Sequence, residues 1–558
     1  MLEKNETNQN TAEDPLSIVS DPKNYVNREE MLSVDENPKE AQEEKKGNFS
    51  RRDLLRIGGL TAAAATLAGS AAAGFATGRS DDAYTGYGRT YQGGDMFFNR
   101  EPFRAEVPAM MTPVGKVERP DWTDFLFERT KDVVNLIKEK KWTPDMGVEK
   151  MPGAVGEYYR KHPKGYEAML DQFERGVKRK EYWEKEAYKH YAIAGAYTSA
   201  YMHAMYNSNG SAVPEDPHDY YLKTGIPQPP EVWDYRGISK HKMEFKSPAH
   251  ASKLIKRMAH QFGMSVVGIT KFDPRFMFKN LMRGMPNKGH DSWGDKVPAH
   301  WKSIIVFGVP MNWDGTYSAV SYSTSFDAYF RSRCGAGLME NFIKALGYPA
   351  RAEFPGSHYE IMMTPYVLLS GLGEYSRSGM AMIPELGCNF RPAAVITDIE
   401  FEYDKPINVK MAEFCKKCKI CAETCPSGAI PFDDEPKTVV RGFKRWLLDE
   451  EKCYTQWVSG ATIDGLGCRV CVGVCPYTRK NTWIHTISRE LEPRDPSGLV
   501  ATGLLAMQQN FFKYPSGEEF RSKWDGGKEA VYHNPPWWMR AEDFFSNVEK
   551  NWEYHGLD

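Results

Sequence analysis

Residues 415–426 read CKKCKICAETCP, and residues 467–476 read GCRVCVGVCP. The first run is Cys415-x2-Cys418-x2-Cys421-x3-Cys425-Pro, the bacterial spacing for a [4Fe–4S] cube. In that spacing three close thiolates wrap one cluster and the fourth reaches a neighbouring cluster. The second run looks like a copy, with Cys468, Cys471 and Cys475-Pro, yet Gly465 stands where its first cysteine belongs. The missing ligand is most simply Cys453, brought in by a loop from outside the motif. Cluster one then takes Cys415, Cys418, Cys421 and Cys475, and cluster two takes Cys453, Cys468, Cys471 and Cys425. A pair of zinc sites on the C-x2-C pairs leaves the third cysteine and the Cys-Pro of each run unexplained.

Eight of the ten cysteines are used in this way, leaving Cys334 and Cys388. Such clustering marks a metal site, because a disulfide framework spreads cysteines through a short secreted chain. The 558 residues suffice for two or three domains, each with its own core. A composition of 41% hydrophobic and 26% charged residues is that of a globular protein. The net charge of -2 lacks the basic footprint of a nucleic-acid partner. A ferredoxin-like 2[4Fe–4S] module over 411–490 follows a chain far longer than electron transfer requires. The module is therefore read as feeding a partner within the same chain.

The N-terminus predicts a compartment. SRRDLLRIGGLTAAAATLAGSAAAGFA, residues 50–76, joins Arg51 and Arg52 to an apolar run of small residues with an A-x-A-like site near Ala71–Ala73. This is read as a twin-arginine (Tat) export signal, preceded by a disordered acidic leader over 1–49. No later stretch approaches the ~20 apolar residues of a membrane span. The expected location is the outer face of the cytoplasmic membrane, with peripheral attachment.

Residues 77–243 predict a helical region in which EYWEKEAYKHYAIAGAYTSAYMHAMY forms a long helix with an aromatic and Ala face. From 244 the texture changes. SPAHASKLIKRMAHQFG predicts a helix capped by Ser247 and stopped by Gly263, MSVVGITKFD a strand and KSIIVFGVPM a buried strand. DAYFRSRCGAGLMENFIKALGY predicts a helix ending at Gly347, and PAAVITDIEFEYD another strand. The alternation argues for an α/β domain over 244–410. The tail over 491–558, with NPPWWMRAEDFFSNVEKNW, is too aromatic for disorder and is expected to pack back on the body.

With these residues assembled, the chain resembles the corrinoid-dependent reductive dehalogenases, the catalytic subunits of anaerobic organohalide respiration. The resemblance is carried by the Tat signal, KSPAHASKLIKRMAHQFGMSVVGITKFD, Tyr329 followed by LGY, GLGEYSR at 371, GCNFRPAAVITDIEFEYDKP and the doublet of cluster motifs with Cys453 standing in. It implies a nitroreductase-like core holding a base-off corrinoid (cobamide) next to the clusters. It also implies the reaction R–X + 2e⁻ + H⁺ → R–H + X⁻. Tyr329 takes the position of the family's proton donor and Arg391 that of its arginine partner. A cation beside a phenol, whose usual pKa is ~10, favours phenolate and makes the tyrosine a better donor. GLGEYS lacks the third glycine of a dinucleotide fingerprint and is read as a turn placing Gly371 and Gly373 beside the cofactor. Trp457 matches an aromatic of the substrate channel, with cover for the cluster as its other reading. DPHDYY at 216 lacks the glycine of a corrinoid-binding histidine motif, in keeping with base-off binding.

One departure concerns the loop PARAEFPGSHYE, 349–360, which is longer than the family's and lacks its asparagine, so Ser357 or His358 is the candidate for that place. The partners implied are an organohalide substrate, a small integral membrane anchor subunit, an upstream low-potential electron donor, the Tat translocase and a maturation chaperone. Two other readings share the clusters: an epoxyqueuosine reductase-like corrinoid enzyme, and a non-catalytic exported electron-transfer subunit. The export signal argues against the first, and the length of chain ahead of the clusters against the second.

Overall fold

The computed structural model describes residues 98–182, 185, 188–206, 238–239, 241–280, 300–318, 323–353, 360–459, 468–479, 483–511, 514–525, 529–550 and 552–554. The leader and the export signal lie outside the described residues, as do Ser357, His358 and Gly465.

The centre of the body is a four-stranded sheet in the order β1 (Val266–Lys271), β2 (Ser303–Pro310), β4 (Phe390–Thr397), β3 (Ala350–Glu353). Every pairing in it is antiparallel, where strand–helix alternation usually accompanies parallel strands. β2 is buried along all eight residues, because its β-branched and aromatic side chains have a core on both faces. Ile305, Phe307 and Val309 meet Ala328, Ala336, Met339 and Ile343 of α2 (Ser323–Ala345) and Ile255 and Ala259 of α1 (Pro248–Gln261). Ile304 and Val306 join Tyr366, Val367 and Leu368 on the other side. Each such buried side chain contributes about 1.5–3 kcal/mol.

Local signals read from the sequence appear here as geometry. Ser247 accepts from the His250 N–H at the start of α1, and Gly263 and Gly347 take φ +86° and +88° just past α1 and α2. The long helix expected at 181–206 falls on three described helical segments, the end of Pro163–Tyr182, Tyr188–His190 and Ala192–Tyr206. Its aromatic stripe serves packing: Tyr197 stacks on Trp538 at 5.9 Å and Tyr201 meets Phe330 at 5.6 Å.

The C-terminal tail does fold back. Tyr532 and Phe520 share a core with Phe414, Cys418, Val470 and Val474 of the cysteine-rich segment. Val531, Trp538 and Met539 close on Tyr191 and Ala194. No helix among the described residues is long and apolar enough to cross a membrane.

Candidate functional site

The cysteine-rich segment is a set of short turns: α3 (Met411–Lys417), a turn of helix at Ile420–Glu423, α4 (Glu450–Ser459) and α5 (Val470–Gly473). Each of these carries one cysteine or more. Burial pushes the Cys421 thiol up, and the neighbouring thiols that add to this are Cys415, Cys418, Cys475 and Cys471. The Cys468 thiol is likewise raised by burial, with Cys453 and Cys425 adding to it, and Cys453 by burial with Cys471 and Cys425. These influences relate Cys421 to Cys415, Cys418 and Cys475, and Cys453 to Cys425 and Cys471, with Cys471 acting on both Cys421 and Cys453.

This donor set fits iron–sulfur clusters. Buried thiols that raise one another become stable thiolates when cationic iron reverses the local electrostatics. Among the described residues no three His, Cys, Asp or Glu side chains are grouped for a single metal ion. A cube has no such requirement, since each thiolate binds its own iron.

GLGEYSR has a role that sequence reading missed. Glu374, fully buried, accepts from the Val409 N–H and, at 2.9 Å, from the Ala412 N–H, so it caps α3, which carries Cys415. Burial raises its carboxyl to about 7 against the pull of those amides. Arg377 is fully buried. Its Nε donates to the carbonyls of Cys415 and Cys418 at 3.1 and 3.0 Å. Nη1 donates to Pro431 and Asp433 at 2.8 and 2.7 Å, and Nη2 to Cys415 and Lys416 at 2.7 and 3.3 Å. The guanidinium also lies 5.0 Å from the Trp446 ring centroid. The α/β domain therefore holds the first cysteine loop by a capping carboxylate and a cationic fork. At Gly371 and Gly373, expected beside a cofactor, the protein leaves no room for a side chain. A Cβ would lie 2.1 Å from the Lys405 carbonyl oxygen at Gly371 and 2.0 Å from that of Met382 at Gly373.

Tyr329 and Arg391 do come together. Tyr329 projects from α2, and Arg391 belongs to β4 itself rather than to the loop before it. Arg391 pairs with Val309 in the sheet register, which puts it on the α2 face. Its Cζ lies 5.4 Å from the Tyr329 ring centroid, so the cation covers the ring face. Its N–H groups go to Ser325 Oγ, from Nε at 3.2 Å and Nη2 at 2.7 Å, and to the Phe390 carbonyl at 3.1 Å. Ser325, one helical turn before Tyr329, also accepts from Arg469, which lies between two cluster cysteines in GCRVC. One buried hydroxyl thereby joins the tyrosine's arginine to the cysteine-rich segment.

Trp457 is placed elsewhere. It stands one turn after Cys453 on α4. Its ring packs on Phe127 at 5.5 Å in a groove of about 1160 Å³, whose walls include Cys453 but neither Tyr329 nor Arg391.

Residues 414–478 match the model of the 4Fe-4S dicluster domain. A tetrachloroethene reductive dehalogenase of Desulfitobacterium hafniense is 27% identical over 353 residues, 53% of this chain and 63% of that protein. A trichloroethene reductive dehalogenase of Dehalococcoides mccartyi is 32% identical over 207 residues, 35% of this chain and 33% of that protein. The chain is related to the reductive dehalogenases. It spans less than two thirds of the length of these relatives. A solved structure of a B12-dependent reductive dehalogenase is 25% identical, with a TM-score of 0.44, over 51% of this chain and 40% of that one.

For this reductive dehalogenase relative, the residues missed from sequence were Ser325, Arg469, Glu374 and Arg377. Two carried a signal. Ser325 stands four before Tyr329, on the same helical face, and Arg469 lies inside a cluster motif. Arg377 and Glu374 carried none, because a buried arginine and a surface arginine look alike in sequence.

Proposed function

We propose that the chain is the catalytic subunit of a corrinoid-dependent reductive dehalogenase that removes halide from an organohalide by R–X + 2e⁻ + H⁺ → R–H + X⁻. The observation that carries this reading is the contact of Tyr329 with Arg391, tied through Ser325 to Arg469 of the cluster motif. A base-off corrinoid, bound by the nitroreductase-like core, would supply the two-electron chemistry at the carbon–halogen bond. Tyr329 delivers the proton from its hydroxyl. Arg391 holds the tyrosine ring from its face and stabilises the charge left on the phenolate. Ser325 fixes the Arg391 fork, so the guanidinium cannot swing away from the ring. Cys415, Cys418, Cys421 and Cys475 would hold one [4Fe–4S] cluster and Cys453, Cys468, Cys471 and Cys425 another, and these would supply the electrons.

The test is metal analysis and turnover. Fully loaded protein is expected to hold about eight iron per chain with one cobamide. With reduced viologen it is expected to release halide from at least one class among chloroalkenes, chloroalkanes and haloaromatics. Protein that binds no cobamide, or releases halide from none of the three, sinks the proposal. Cys453→Ala is expected to lose one cluster and keep the other, with iron falling to about four. Full iron in that variant would mean the second cluster takes its fourth ligand elsewhere.

The proposal extends to location. Arg51→Lys with Arg52→Lys is expected to hold the precursor in the cytoplasm, where the wild type is exported through the Tat translocase after a chaperone has kept it for cofactor loading. Export of the double variant at the wild-type level would remove the twin-arginine reading. Outside, the protein sits peripherally on the membrane through a small integral anchor subunit and takes electrons from a low-potential donor.

A further inference from the structure

We infer that Arg129 and Gln172 are positioning residues for Cys453: through Glu451 they fix the helix that carries the out-of-motif ligand of the second cluster. The inference rests on the reading of Cys453 as a ligand of that cluster.

A cysteine inside a close run is placed by the other ligands of the run, since all of them wrap the same cube. Cys453 lies outside any such run and stands on α4. At its start α4 is tied to the cysteine-rich segment, where the Asp449 N–H donates to the Ala429 carbonyl at 2.9 Å. A second grip comes from the N-terminal region, from the helices Leu126–Lys138 and Pro163–Tyr182.

Arg129, on the first of these helices, is 2% exposed. Its Nη2 donates to Glu451 Oε1 at 3.0 Å and its Nη1 to the Thr123 carbonyl at 2.6 Å. The guanidinium also lies 4.3 Å from the Tyr158 ring centroid, so its own position is fixed. Gln172, on the second helix, is 5% exposed, and its Nε2 donates to Glu451 Oε2 at 3.0 Å. Thr455 Oγ1 and the Glu451 carbonyl lie 3.2 and 3.3 Å from the same nitrogen. Each oxygen of Glu451 is thus taken by a different helix. Its neighbour Glu450 accepts from the Leu126 N–H at 3.3 Å, at the start of the first helix.

A carboxylate gripped at both oxygens, once by a guanidinium, is set in place and in direction. Glu451 and Cys453 share one turn of a hydrogen-bonded helix, so setting the first sets the backbone of the second. Outer partners of this kind orient a metal ligand without touching the metal. The plainer account makes these contacts mere packing of the N-terminal helices on the body. Weakening them would then loosen the whole molecule, and both clusters alike.

Iron release from the loaded enzyme to a chelator, with each cluster followed by electron paramagnetic resonance, separates the two. In Gln172→Leu the second cluster is expected to lose iron roughly tenfold faster, the size set by one hydrogen bond to a charged group. The first cluster is expected to keep its wild-type rate and so serves as an internal reference. Arg129→Leu combined with Gln172→Leu is expected to lose the second cluster, leaving about four iron per chain. Arg129→Lys keeps a cation opposite Glu451 and is expected to hold more of that cluster than Arg129→Leu. Unchanged release from the second cluster in Gln172→Leu overturns the inference, as does equal acceleration at both clusters, which would report packing alone. The single variant decides the matter even where the double variant does not fold. Cys453→Ala, run in parallel, tests the reading beneath: full iron there removes the ligand assignment, whatever Gln172→Leu does.

Discussion

Tyr329→Phe is expected to lower turnover by about 10²–10⁴-fold, the usual size of a general-acid contribution. Iron, cobamide and thermal stability are expected to stay at wild-type values. The structure explains why this variant isolates the proton. The Tyr329 ring is held by its faces and edges, against Phe326 at 5.8 Å and under the Arg391 guanidinium at 5.4 Å. Phenylalanine keeps both contacts and removes only the hydroxyl. Arg391→Lys is expected to lose less, because a cation survives while the two-pronged grip on Ser325 does not. A fully loaded Tyr329→Phe enzyme with near wild-type turnover on its best substrate would mean that the proton comes from water or from another residue, with His358 the next candidate.

Arg377→Leu is expected to cost the first cluster outright. Leucine keeps an apolar side chain in place but leaves the carbonyls of Cys415, Lys416, Cys418 and Pro431 without the Arg377 donors, while that of Asp433 keeps the Trp446 indole N–H. Each buried carbonyl left unsatisfied costs about 1–3 kcal/mol. Even at the low end, the sum is comparable with the whole stability of a typical domain, about 5–15 kcal/mol. The loop is therefore expected to open rather than bear the cost, and iron to fall from about eight to about four per chain. Arg377→Lys supplies fewer donors and no planar fork, so partial loss is expected. Iron analysis with a thermal melt decides the matter: full iron and an unshifted melting temperature in Arg377→Leu would show that the carbonyls find other partners.

The parts legible in the sequence were those whose information is local. Cysteine spacing is set by the size of a cube, so the cluster domain is legible from the cysteine-rich stretch that the family model matches. Ser247 signals a helix start by chemistry confined to one turn. Parts that depend on distant chain were not legible. The antiparallel sheet depends on pairings between strands far apart in the chain, such as Ser303 with Thr397, and strand–helix alternation does not encode that. Arg377 bonds to carbonyls 38 to 56 residues away, and a carbonyl has no side-chain identity to recognise. Trp457 was ambiguous for a different reason. Its spacing of four from Cys453 on a helix already put the two together, and the likeness to a channel aromatic pulled the other way.

The closures between distant parts of the chain set the order of its assembly. Arg100 pairs with Glu385 across 285 residues, Gln172 bonds Glu451 across 279, and His190 bonds the Glu549 carbonyl across 359. During synthesis the N-terminal helices emerge long before any of these partners exist, with Tyr191 and Ala194 lacking the Val531, Trp538 and Met539 that cover them in the finished body. Non-local pairing of this kind makes folding slow and leaves apolar surface open to aggregation while it proceeds. Trp122, Val133, Leu136, Trp142, Val155, Tyr159 and Met169 can close a local core early, whereas the segment bearing Tyr191 and Ala194 waits for almost the entire chain and passes through a long vulnerable interval.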